Sequence, residues 1–306
     1  MTQDQWKTNL VRTQGGLWLS PSLSRRRLLL GAGAVTATAA LAACSGNPKT
    51  DSSNKSGPVG APKQGGNFRL GVTGGGAKDI FDGQNVNNTP DGARLLTAFE
   101  TLLTFDDDFK LTNDGLAESV EADSPTQYTI KLRQGIEFHD GKTLTADDVI
   151  YSLQRVANDV SLRGNSAAGV MDIAGMKKLD DYTVRLPLLT PDSTLPEKLA
   201  AYYFSIVPEG YETYSGDPST QVGTGPYRLE SFTPGRESIH ARHENYWRDG
   251  QPYFDSVNIT NFSDATAQVN ALLGGQIDAM TDLPAAQVAV AEGRGQEVLV
   301  SETGWW

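Results

Sequence analysis

Apolar and polar positions alternate with period two over residues 67–72, which predicts a first strand, and Gly74-Gly75-Gly76 closes it. Over 90–103 the period lengthens, placing Leu95, Phe99 and Leu102 on one face of a helix. Thr104-Phe105 and Phe109-Lys110-Leu111 flank three aspartates and read as a hairpin with a solvated tip. Strand spacing returns at 128–133 and runs on through 136–139 to the turn Asp140-Gly141. Thr145 opens a capping box with Asp148: the hydroxyl accepts from the Asp148 amide and the carboxylate reaches back. A helix over 146–158 follows, with Val149, Leu153 and Val156 turned inward. Hairpins are predicted over 177–186 and, around Thr233-Pro234-Gly235, over 227–242. A short helix over 195–203 carries Pro196 in its first turn. A strand at 257–260, a helix over 264–273 capped by Ser263 and ended by Gly274, and a strand-like 276–280 complete the pattern. Strands and helices mix without strict alternation, so the expected class is α/β, a mixed sheet with hairpin-rich insertions.

The front of the chain departs from this pattern. Ser24-Arg25-Arg26-Arg27 is followed by residues 28–43 without a charge, and then by Cys44. Those residues as a helix reach about 24 Å, short of a hydrocarbon core of roughly 30 Å. A basic start, a short apolar run and small residues before a cut are the layout of a secretory signal. Arg25 and Arg26, after a serine and before leucines, resemble the twin-arginine export signal. Leu41-Ala42-Ala43-Cys44 resembles the bacterial lipobox, in which the cysteine thiol receives a lipid and becomes the mature amino terminus. The stretch before Ser24 is long for a signal front, which either a misplaced start site or an extended twin-arginine signal accommodates. From 45 to 66 the sole sizeable apolar residue is Val59, too little to offset ordering entropy, so a flexible tether is expected. A lipid at Cys44 and such a tether imply a body held at the outer face of a membrane.

Composition narrows the function. With 306 residues, 38% hydrophobic and 21% charged, the chain has globular composition and can bury one large core or two modest ones. Five basic groups and one acid lie in residues 1–44, so the remainder is more acidic than the whole chain's net −11. Such a body repels phosphate backbones, and no nucleic-acid partner is expected. The single cysteine rules out an internal disulfide and any multi-cysteine metal site. His240 and His243 lie across a predicted strand end with no third ligand nearby, so no metal site is expected. His139 is open to two uses, a base oriented by Asp140 or a side chain satisfying nearby backbone. No nucleophile elbow, phosphate-binding loop, zinc-protease helix or dinucleotide fingerprint occurs, and neither a catalytic residue nor a cofactor is expected.

Several stretches resemble the family 5 solute-binding proteins of ABC importers, the binders of peptides, nickel and oligosaccharides. The clearest is 128–155, YTIKLRQGIEFHDGKTLTADDVIYSLQR, similar to the family's strand, R-x-G-x-x-F-H-D-G turn and capped A-D-D-V helix. Val222-Gly223-Thr224-Gly225-Pro226-Tyr227 is similar to its G-T-G-P-Y turn. Leu116-Ala117-Glu118-Ser119, Asn245-Tyr246-Trp247 and the run ALLGGQID at 271–278 fit in the family's order.

The resemblance implies a periplasmic-binding-protein-like fold (type II), a non-enzymatic, extracytoplasmic protein that closes on a solute and delivers it to a membrane permease. Peptide is the first expectation for the solute, and a monomer for the complete protein. The expected divisions are a signal peptide at 1–43, a tether at 44–66, a first lobe at 67–262 and the start of a second lobe, largely missing, at 263–306. Thr73, Gly74 and Gly75 after the first strand, and Thr224, are the candidate ligand contacts, against a reading of each as a plain turn. A stub of second lobe would leave Val298, Val300, Trp305 and Trp306 without apolar partners, so weak binding and aggregation are expected. Two other classes stay open: a twin-arginine-exported hydrolase, and a surface sensor or adhesin that reuses the lobe.

Overall fold

The computed structural model describes residues 8–13 and 62–301. Arg25, Arg26 and Cys44, most of the signal segment and most of the tether lie outside the described residues, as do Trp305 and Trp306. In chain order the elements begin with β1 (Thr8–Thr13), β2 (Asn67–Thr73), α1 (Thr89–Ala98), β3 (Thr104–Phe105) and β4 (Leu111–Thr112). Next come β5 (Ala117–Ser124), β6 (Gln127–Leu132), α2 (Ala146–Asn158), α3 (Asn165–Ala168), β7 (Lys177–Asp180), β8 (Thr183–Pro187) and α4 (Leu195–Leu199). The chain then returns through β9 (Tyr227–Thr233), β10 (Glu237–Arg242), β11 (Ser256–Phe262), α5 (Ala265–Leu273), β12 (Ala279–Met280), α6 (Val288–Gly293) and β13 (Gln296–Ser301).

Three sheets result. The largest has the order β13-β1-β12-β2-β11-β10-β9, and a second has β5-β6-β8-β7. The third is the hairpin β3-β4, whose tip is closed by Asp106 Oδ1 accepting from the amides of Asp108 (2.9 Å) and Lys110 (2.8 Å). In the largest sheet β2 runs parallel to both β11 and β12, and the outer pairs are antiparallel. The expected class, α/β with a mixed sheet, is the observed one, and the four-stranded sheet with α2 forms the inserted part. One core packs that insertion around Ile130, Phe138, Leu153 and Leu186. Others line the large sheet around Phe68, Val72 and Ile259, and around Phe81, Leu95 and Phe99. The segment beyond β11 contributes its own cluster of Val269, Leu272, Ile277 and Met280, with Val298 packed against it, and feeds β12 and β13 into the same sheet.

Helix α2 spans the predicted residues, buries Val149, Leu153 and Val156, and opens on the predicted box. Asp148 Oδ2 accepts from the Thr145 amide at 2.9 Å, and its other oxygen takes Lys142 Nζ (2.6 Å) and the Glu209 amide (2.9 Å). Helix α1 is shorter than its apolar spacing predicts. The chain turns extended at Phe99, so Leu102 is buried from a following loop instead of from the helix. That step carries Glu100 inward to three donors: Thr224 Oγ1 (3.0 Å), Tyr246 OH (2.8 Å) and Trp247 Nε1 (2.9 Å). Helix α5 is capped by Asp264, which accepts from the Ala267 amide at 2.9 Å; Ser263 bonds to that carboxylate instead of capping. Strand β5 has no apolar alternation to announce it: it lies at a sheet edge and its last four residues are exposed.

Candidate functional site

In open sheets with parallel strands, ligands bind outside the carboxyl ends of those strands, where successive crossovers leave to opposite sides. Here that point is β2. Its partner β11 lies on one side, and the chain then crosses through α5 to place β12 on the other. The carboxyl-end rim therefore comprises Thr73 at the end of β2, Gly74 and Gly75 after it, Asn261 near the end of β11, and Thr281 and Asp282 after β12.

Each rim position is held from below. Gln268 of α5 is fully buried; its Nε2 donates to the Gly71 carbonyl (2.7 Å) and its Oε1 accepts from the Thr73 hydroxyl (2.6 Å). The Gly74 amide donates to the Phe262 carbonyl at 3.0 Å. Gly75 has φ of +79°, and a Cβ there would stand 2.6 Å from Asp79 and against Asn261, so both conformation and space require glycine. Asp79 Oδ1 accepts from the Gly76 amide (2.6 Å) and Asn88 Nδ2 (3.0 Å). Its Oδ2 accepts from Asn261 Nδ2 (2.7 Å), Arg94 Nη1 (3.2 Å) and the Gly235 amide (3.2 Å). Burial alone would raise the Asp79 pKa, but these donors and the guanidinium outweigh it and hold it below the ordinary value.

Arg94 is wholly buried beneath this loop. It bonds Asp79 and, at 3.3 Å, Asp91; its Nε donates to Ser238 Oγ at 3.2 Å; Nη2 donates to Asn261 Oδ1; and the Phe232 ring lies 4.8 Å from its Cζ. Asp91 has fewer donors, and burial raises it to about 6. The outcome is a rigid cradle under exposed backbone: Gly74 and Gly75 face outward, and Asp282 is exposed at φ of +58°. Thr281 adds a buried hydroxyl that, among the described residues, has no hydrogen-bond partner. Exposed peptide groups, one carboxylate and one unpartnered hydroxyl suit hydrogen bonding to a polar solute, and they contain no nucleophile paired with a base.

The four contacts expected from sequence separate. Thr73, Gly74 and Gly75 stand together on the rim. Thr224 is fully buried at the amino end of β9, its hydroxyl given to Glu100. Strand β9 separates it from the rim by roughly 20 Å at 3.3 Å per residue. Its glycine neighbours serve packing: a Cβ at Gly223 would collide with the carbonyl of Ala98 at the end of α1. The histidines divide likewise. His139 bonds backbone, with Nε2 to the Gly225 carbonyl at 2.9 Å, and His240 is buried with Nε2 on Ser238 Oγ at 2.9 Å. Among the described residues no cluster of three His, Cys, Asp or Glu side chains is placed to hold a metal ion. Asn261, Gln268, Thr281 and Asp282 escaped the sequence reading, because what marks them is their meeting at one sheet edge.

The sequence model of the bacterial extracellular solute-binding proteins, family 5, matches residues 112–306. The oligopeptide-binding protein AppA of Bacillus subtilis strain 168 is 28% identical over 262 residues, which cover 82% of this chain and 47% of AppA. The glutathione-binding protein GsiB of Salmonella paratyphi A is 29% identical over 225 residues, 72% of this chain and 44% of GsiB. Among solved structures, the binding protein AgaA in complex with agropinic acid, from A. tumefacien R10, superimposes with a TM-score of 0.66 at 28% identity. That match covers 74% of this chain and 45% of AgaA. The chain thus spans about half the length of the curated relatives it matches.

Proposed function

The chain belongs to the bacterial extracellular solute-binding proteins of family 5, and on that premise we propose that it captures peptides outside the cytoplasm for delivery to a membrane permease. The observation that carries this reading is the family match over 112–306, a span that includes β11, α5 and β12, the elements flanking β2. Two relatives named for oligopeptide and glutathione binding favour peptides over other solutes. The rim chemistry agrees: the exposed backbone of Gly75 can pair with a peptide main chain, and the Asp282 carboxylate can meet an ammonium group. Residues 1–43 serve in this proposal as a twin-arginine signal, and Cys44 as the lipid attachment site. A lipid there would raise the local concentration of the protein at its permease.

Titration of the protein with a mixed tetrapeptide library, read by tryptophan fluorescence and by mass spectrometry of the ligand, tests the proposal. Saturable binding with the peptides recovered intact is expected. Asp282→Asn should weaken free-amino peptides about tenfold and N-acetylated ones little, since a charge-assisted hydrogen bond contributes roughly 1.5–3 kcal/mol. Cleaved peptides would instead identify a hydrolase. Absence of saturable peptide binding by a folded chain would remove the peptide reading.

A further inference from the structure

At the opposite end of the large sheet from that rim, the outer ends of β9 and β10 and the turn closed by the Glu137–Thr143 bridge line an open cavity of about 180 Å³. Strand β10 separates the two places by roughly 20 Å at 3.3 Å per residue. The walls include Glu137, His139, Arg228, His243, Glu244 and Asn245. The two imidazoles stand edge to face with ring centres 4.9 Å apart.

Their hydrogen bonds fix their tautomers. The Gly223 amide donates to His139 Nδ1 at 3.2 Å, so the proton lies on Nε2, which donates to the Gly225 carbonyl. The same carbonyl accepts from His243 Nδ1 at 3.3 Å, which leaves a lone pair on His243 Nε2. Among the described residues nothing donates to that nitrogen. Burial lowers both imidazoles, His139 to about 4, so this wall is uncharged near neutral pH.

The charged groups around the cavity are of both signs. Arg228 is half exposed, and its ion pair with Glu230 is long, at 3.6 Å. Arg242 also borders the space, but its guanidinium is occupied by Gln64 (3.0 Å), the Tyr253 carbonyl (3.0 Å) and Asp255 (2.9 Å). Glu137 accepts from Asn245 Nδ2 at 3.0 Å on one oxygen, and Glu244 is exposed beside it. The cavity therefore offers one guanidinium with donors to spare, an imidazole lone pair and two carboxylates. It is smaller than the roughly 300–1,000 Å³ of sites for drug-sized ligands. An anion alone would meet the carboxylates, and a cation alone would meet Arg228. A small molecule that carries both charges a few ångströms apart meets neither penalty.

We propose that this cavity is a second ligand site, distinct from the β2 rim, that takes a small α-amino-acid zwitterion with its carboxylate on Arg228 and its ammonium on His243 Nε2 and Glu137. The chain has three histidines, so side-chain nitrogen NMR can localise binding. Titration with L-alanine should shift the His243 ring signals saturably and leave those of the buried His240 in place. Acetate and methylammonium, each half of the zwitterion, should bind at least about tenfold more weakly. Arg228→Gln, at a half-exposed position, should weaken alanine by at least about tenfold with an unchanged melting temperature. Glu137→Gln, which keeps an acceptor for Asn245, should narrow the preference for alanine over acetate. The proposal is overturned if acetate binds as well as alanine, or if alanine shifts persist at full size in Arg228→Gln. It is equally overturned if His243 does not respond at about 100 mM alanine, a concentration that saturates a site with a dissociation constant of about 1 mM.

Discussion

Arg94 illustrates how one buried charge can organise a loop that lies fifteen residues earlier in the chain. It sits at zero exposure between Asp79 and Asp91, and through Asp79 it holds the amides of Gly76 and Gly235 and the side chain of Asn261. The two carboxylates respond differently to the same guanidinium. Asp79, with its many donors, stays ionised, whereas Asp91 is lifted to about 6 by burial, and the charge of Asp79 adds to that rise. Arg94→Met should therefore cost about 3–5 kcal/mol, because it strands a buried carboxylate rather than merely losing a contact. Adding Asp79→Asn to that variant should recover part of the loss. Urea unfolding of both variants checks this; a single-variant loss below about 1 kcal/mol would show the pair to be dispensable.

At the scale of elements, the central question is what fills the sheet beside β12. In the structure Thr8–Thr13 lies there, antiparallel to β12 on one side and to β13 on the other. The proposed processing before Cys44 would remove that strand together with the signal. The chain beginning at Cys44 should then show faster amide exchange in β13, whose ladder is with β1, while β2 and β11 keep their protection through seven paired positions. Hydrogen exchange of the two forms measures it, and mass spectrometry of the exported protein identifies its first residue. Equal protection of β13 in both forms would mean that β1 contributes nothing to the sheet.

For the whole molecule, the buried histidines set a pH dependence. Burial holds His139 at about 4 and His240 at about 3, against about 6.5 in an unfolded chain. Both pKa values are depressed, so the unfolded chain takes up these protons first. Their stabilisation is complete above about pH 6.5 and is lost as the pH falls toward the folded values. Asp91 and Glu100, both raised by burial, act in the opposite sense. A comparison of variants isolates the histidine effect. Between about pH 7 and pH 5 the native chain should lose about 2 kcal/mol more stability than His240→Gln, from 1.4 kcal/mol per unit of pH below the unfolded pKa. Parallel losses in the two proteins would show that His240 does not titrate differently on unfolding.

What the sequence determined by itself was whatever local pattern carries: the alternation of β2, β6 and the two later hairpins, and helix α2 with its cap and its inward Val149, Leu153 and Val156. It also carried the family, through motifs such as F-H-D-G and G-T-G-P-Y, and the loop Thr73-Gly74-Gly75. These features rest on interactions among residues a few positions apart, or on glycines whose conformation no other residue adopts easily. Only the tertiary structure decided where helix α1 stops, since Glu100 is drawn out of it by Thr224, Tyr246 and Trp247 from more than a hundred residues downstream. The same holds for the separation of Thr224 from the rim, for the meeting of Asn261, Gln268 and Asp282 at the end of β2, and for the pairing of His139 with His243. Burial and hydrogen-bond satisfaction act between elements that the linear pattern does not bring together, and a group's chemistry depends on which of those neighbours it meets.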